Sequence, residues 1–136
     1  MREIFDSFAG FDDFLIYLSI SMGLLGMFAA IYVRVTPHRE IELVRQGNLA
    51  AAYSFCGALL GFIIPLSSAV KHSVSLVDMG IWGLIALVVQ VATFVVVKLM
   101  VPRICDNIAE GKEASGFFLG AFSLGVGMLN GACMTY

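Results

Sequence analysis

The sequence predicts an all-α integral membrane protein, with four transmembrane helices set out as two parallel two-helix repeats, a short interfacial helix in each, and both termini on the outer side. Three observations predict it. Hydrophobic residues make up 60% of the 136 residues and charged residues 13%, with a mean hydropathy of +0.93; this is more apolar surface than a soluble domain can cover. Four apolar stretches are each long enough to cross a bilayer. The polar punctuation between the stretches recurs at a nearly fixed offset.

The first stretch, Phe14 to Val33, follows a leader with Asp6, Asp12 and Asp13 against Arg2. It lacks the charge and the cleavage site of a signal peptide, so the segment is expected to stay. Its length of about 20 residues at roughly 1.5 Å each matches a hydrocarbon core of roughly 30 Å. Ser19, Gly23, Gly26 and Ala30 offer small positions at helical spacing for a neighbour to pack against. After Arg34, Thr36 is placed to cap a short helix starting at Pro37, with Glu42 and Arg45 three apart and Gly47 as its left-handed stop. Ile41 and Val44 would turn toward lipid or protein.

The second span runs from about Leu49 to Val70, and Lys71, His72 and Asp78 mark the turn after it. The third runs from about Met79 to Val97, interrupted by Gln90. Pro102 and Arg103 open a second polar segment, Ile104 to Glu110, which stops at Gly111; the fourth span runs from about Ala114 to Met134.

Pro37 pairs with Pro102 at an offset of 65 and Gly47 with Gly111 at 64, which places Ala52 on Gly116, Gly57 on Ala121 and Gly61 on Gly125. The chain therefore reads as a single membrane domain, 1–136, with one repeat over about 12–72 and the other over about 77–136. Each repeat crosses the membrane twice, so the copies run parallel, related by an axis along the membrane normal. Arg34, Arg39, Arg45, Lys98, Arg103 and Lys112 all fall in the segments inside the repeats, and only Arg2 and Lys71 fall outside them. That bias puts the short helices in the cytoplasm and both termini outside.

Thr36-Pro37-His38, the Ala50 to Ala52 run with Gly57 and Leu60-Gly61, the stretch Ile64-Pro65-Leu66-Ser67-Ser68-Ala69, and the ending Asn130 to Thr135 before Tyr136 carry a family resemblance. From about Asp12 to Tyr136 the chain resembles the bacterial inner-membrane family known as domain of unknown function 350. The resemblance implies a four-span protein of the bacterial inner membrane made of two family repeats, and it implies no activity.

Two groups of residues in the spans could carry function. Gly57 and Gly61, Gly116 and Gly120, and Ser123, Gly127 and Gly131 form ladders at four-residue spacing. Together with Gly125 they mark close helix packing, within one protomer or as a homo-oligomer contact. Pro65 deprives the Gly61 carbonyl of its helical partner. The freed carbonyl, Ser67, Ser68 and, in the repeat frame, Asn130 would then gather at one depth in the outer half of the membrane. Such a set either lines a path for a cation or polar solute, or satisfies itself between helices, as Gln90 and Thr135 also could.

No Asp, Glu, Lys, Arg or His lies inside the four spans, which argues against a proton-coupled carrier. Cys56, Cys105 and Cys133 lack metal-site spacing and read as small apolar fillers, and His38 and His72 fall on opposite sides, so no metal is expected. With a net charge of -2 and a pI near 5.5, nothing recommends a nucleic-acid partner, and none is expected. No nucleophile triad, P-loop or paired carboxylates point to an enzyme, and nothing requires a cofactor. Membrane lipids and a second copy of the chain are the expected partners. Two readings follow: an oligomeric passive pathway for a small cation or polar solute, or a scaffold that carries nothing. The scaffold would use Arg39, Arg45, Arg103 and Lys112 to hold anionic headgroups or a cytoplasmic or envelope-stress partner.

Overall fold

In the computed structural model, which describes residues 1–37 and 39–134, every regular element is a helix. His38, Thr135 and Tyr136, which bear on the histidine, threonine and terminal-motif readings, lie outside the described residues. The order is α1 (Arg2–Phe8), α2 (Phe11–Val35), α3 (Glu40–Arg45), α4 (Leu49–His72), α5 (Leu76–Met100), α6 (Ile104–Ala109) and α7 (Glu113–Cys133). Four helical stretches are long and apolar enough to cross a membrane: Arg2–Val35, Leu49–His72, Leu76–Met100 and Glu113–Cys133.

The centre is the pair α4 and α7, which run parallel in close contact. Their register follows from their glycines: Gly116 sits on Ala50, Gly120 on Tyr53, Gly127 on Gly61 and Gly131 on Ile64 and Pro65. Around that pair, α2 is fastened by aromatic rings. Phe28 stacks on Phe62 with centroids 4.5 Å apart, and Tyr32 meets Phe94 edge-on at 5.8 Å and Phe55 at 6.1 Å. Burying such rings supplies apolar area plus about 0.5–1.5 kcal/mol per well-placed pair.

The expected small-residue face of α2 is not used this way. Ser19, Gly23, Gly26 and Ala30 are exposed, and a Cβ built on either glycine meets nothing within 4 Å. The reason is that Leu24, Phe28, Ile31 and Tyr32, on another side of the same helix, make the contacts with the bundle.

The punctuation works as hydrogen bonding requires. Gly47 and Gly111 have φ of 84° and 83°, and in both places the next residue's N–H reaches back to close the short helix: Asn48 to Leu43 at 2.9 Å and Lys112 to Asn107 at 3.0 Å. Only a residue without Cβ takes this conformation at no steric cost. Thr36 does not start α3. It ends α2, where its hydroxyl donates to the Tyr32 carbonyl at 2.9 Å, and α3 begins at Glu40. A threonine hydroxyl can bond four residues back inside a helix, and that bond competes with capping forward.

Asn48 ties the two halves together. Its Oδ1 accepts from Ala51 N at 3.1 Å, and its Nδ2 donates to the Ile108 carbonyl at 2.9 Å, so α3 and α6 lie at one end of the bundle.

Candidate functional site

The α4–α7 seam brings together most of the expected packing glycines and part of the expected pathway lining. A Cβ on Gly57 would overlap the backbone of Gly120, one on Gly61 the Ser123 carbonyl and the Gln90 amide, and one on Gly127 the Gly61 carbonyl. Gly116 and Gly120 are blocked in the same way by Ala50 and Tyr53. Gly125 differs: nothing lies within 4 Å of its Cβ position, because it faces outward beside Phe122, Met128 and Leu129.

Pro65 is buried inside α4, which continues as helix to His72. The carbonyl of Gly61 that Pro65 leaves unpaired along the helix lies against the Cα of Gly127. A Cα–H···O contact there is worth about 0.5–1 kcal/mol and is open only to glycine at this separation.

Ser68 and Asn130 flank the same region. Ser68 Oγ donates to the Gly131 carbonyl at 3.1 Å, and Asn130 Nδ2 is buried with no hydrogen-bond partner among the described residues. Ser67 points elsewhere, into a groove of about 370 Å³ between α2 and α4 that it shares with Ser21, Leu25, Leu66 and Lys71. The structure therefore separates Ser67 from Gly61, Ser68 and Asn130, which the sequence reading had put together. Gln90, buried on α5, donates through Nε2 to the Ala58 and Ser123 carbonyls at 3.4 and 3.2 Å, joining α5 to both central helices.

At the other end, Arg39, Arg45, Arg103 and Lys112 are exposed. Arg39 pairs with Glu42 at 3.4 Å, and Lys112 with Glu110 at 3.4 Å. Exposed pairs of this kind contribute at most about 1 kcal/mol and open readily. A groove of about 330 Å³ lies beside the first pair, lined by Pro37, Arg39, Glu42, Leu43, Gln46 and Ala109. Of the cysteines, Cys105 is buried, whereas Cys56 and Cys133 are exposed rather than core fillers.

Glu40 is the residue that sequence reasoning missed. It is fully buried, in the neighbourhood of Tyr32, Thr36 and Cys105. Burial pushes its carboxyl from the ordinary 4.5 up to about 7, with a hydrogen bond to Thr36 pulling the other way. Burial likewise pushes the Cys105 thiol up, against the pull of Lys98. The available signal was its place in the frame of the second half, where the first residue of the short helix is the buried Ile104.

The family model described as Domain of Unknown Function (DUF350) matches residues 6–134. The chain belongs to the DUF350 family. It is 41% identical over 134 residues to the UPF0719 inner membrane protein YjfL of Escherichia coli (strain K12), covering 98% of this chain and 99% of the relative. It is 27% identical over 112 residues to the UPF0719 transmembrane protein YshE of Bacillus subtilis (strain 168), covering 81% and 84%. No solved structure matches. With these relatives and its four apolar helices, the DUF350 chain is a multi-pass membrane protein.

Proposed function

We propose that this DUF350 protein is a homo-oligomeric scaffold of the bacterial inner membrane that conducts nothing through its protomer and presents α3 and α6 to a cytoplasmic partner. The observation that carries this reading is the closed seam: Gly61, Gly127, Pro65 and Gly131 stand backbone against backbone where a path would have to pass. Of the polar groups there, Ser68 is committed to the Gly131 carbonyl and Gln90 Nε2 to the Ala58 and Ser123 carbonyls. The cationic ends of α3 and α6 face the cytoplasm by the positive-inside bias, and both termini are periplasmic. The groove beside α3, lined by the paired Arg39 and Glu42 with Gln46, offers a polar surface for a segment of a soluble partner. The recurring turns at Gly47 and Gly111 support a duplicated two-helix unit. Because the glycines of α4 and α7 are used inside the protomer, the open stripe Ser19, Gly23, Gly26 and Ala30 on α2 is the face on which a second copy packs. The reading assigns no catalysis and no cofactor.

A passive pathway is the second reading, favoured by one observation: Asn130 Nδ2 and Gln90 Oε1 are buried with no hydrogen-bond partner among the described residues. Solute flux in proteoliposomes separates the two. The scaffold reading expects wild type and Ser67→Leu/Asn130→Leu vesicles to leak potassium or glycerol no faster than protein-free vesicles, while Arg39→Glu/Arg45→Glu abolishes partner capture. Flux above that background, lost in the Ser67/Asn130 variant, would establish the pathway instead.

A further inference from the structure

The two short helices share a backbone but are seated by different chemistry. In both, the N–H of the fourth helical residue bonds to the carbonyl just before the helix, Leu43 to Arg39 at 3.0 Å and Asn107 to Arg103 at 2.9 Å. Glu40 and Ile104 therefore hold the same position, and both are fully buried. Beyond that position they differ: α6 also buries Cys105 and Ile108, whereas Glu40 is the one residue of α3 that is buried. The seat of α3 is a carboxylic acid, and the cost of that burial depends on its charge.

Burial favours the neutral form and outweighs the hydrogen bonds from Thr36 and from the Glu40 backbone, which favour the ionised one. Thr36 Oγ1 donates its hydrogen to the Tyr32 carbonyl at 2.9 Å. An ionised Glu40 only accepts, so it competes with the Tyr32 carbonyl for that hydrogen. Among the described residues, the titratable groups that face Glu40 include Tyr32 from α2 and Cys105 from α6, with Lys98 of α5 and Asp106 of α6 beside Cys105. The first turn of α4, residues 49–52, carries no titratable side chain. Space for movement exists on both sides of the connection into α3, in the groove of about 330 Å³ and in a gap of about 100 Å³ lined by Pro37, Cys105, Asp106 and Ala109.

We propose that Glu40 is a proton-binding site that latches α3 to the bundle: protonated, it keeps the short helix seated against Tyr32, Thr36 and Cys105, and loss of the proton releases it. The direction follows from linkage. The docked carboxyl holds its proton up to about 7 and a released one up to its ordinary 4.5. Docking is therefore strongest below the lower value, weakens through the window between them and levels off above it.

Hydrogen–deuterium exchange of the full chain in lipid nanodiscs, corrected for intrinsic exchange at each pH, tests the latch. Protection of the amides of α3 should fall about tenfold between about pH 6 and pH 8 and little further above, while α6 stays constant. Glu40→Gln, which has no proton to lose there, should hold α3 equally protected at every pH. Protection of α3 that is independent of pH in wild type, or that falls equally in α6 or in Glu40→Gln, overturns the proposal. The wild-type comparison of α3 with α6 decides the matter even where the variant fails to fold.

Discussion

Two faces of this molecule carry the same small-residue pattern and use it differently. On α4 and α7, a methyl group at Gly57, Gly61, Gly116, Gly120 or Gly127 would strike the backbone of a neighbouring helix or, at Gly61, also the Gln90 amide. On α2, Gly23 and Gly26 stand in open space, and so does Gly125 on the far side of α7. Spacing therefore marks where a backbone can come close, not which backbone arrives. What distinguishes the seam is its surroundings: Gln90 reaches across it, and Pro65 withholds the N–H that would pair with the Gly61 carbonyl, which Gly127 meets instead.

Substitutions break this contrast in a definite order. Gly127→Ala should have the largest effect, a loss of about 1–3 kcal/mol or more, because the added carbon meets rigid backbone rather than a movable side chain. It is read as a fall in thermal midpoint in mild detergent. Gln90→Leu should cost less, about 0.6–2 kcal/mol, the range for a hydrogen bond between membrane helices. Gly125→Ala should stay within about 0.5 kcal/mol of wild type, since the methyl enters open space and suits the helix better. A Gly125 effect as large as that of Gly127 would erase the distinction.

The spans and the glycine stops were legible because each depends on local chemistry, runs of apolar residues and a positive φ at Gly47 and Gly111, whereas Pro37 misplaced the start of α3, which begins at Glu40. The rest was settled by tertiary packing. Thr36 looked like a forward cap, yet its hydroxyl bonds back to Tyr32. Ser67 and Ser68 are adjacent in sequence and diverge because successive helical residues face about 100° apart, one toward α2 and the other toward α7. Glu40 was hidden for the opposite reason. A glutamate in a polar segment reads as solvated, and only the fold of α2 and α6 around it removes the water. The comparison of α3 with α6 is thus the polar counterpart of the glycine contrast, with one backbone position held by isoleucine in one half and by an acid in the other.

The central claim is that the seam glycines serve the protomer and the α2 glycines serve the assembly. Native mass measurement of purified wild type beside Gly23→Leu/Gly26→Leu tests it most directly. The account predicts a discrete oligomer for wild type and a monomer of unchanged helix content and thermal midpoint for the variant. A wild-type monomer, or a variant that assembles as wild type does, would contradict it.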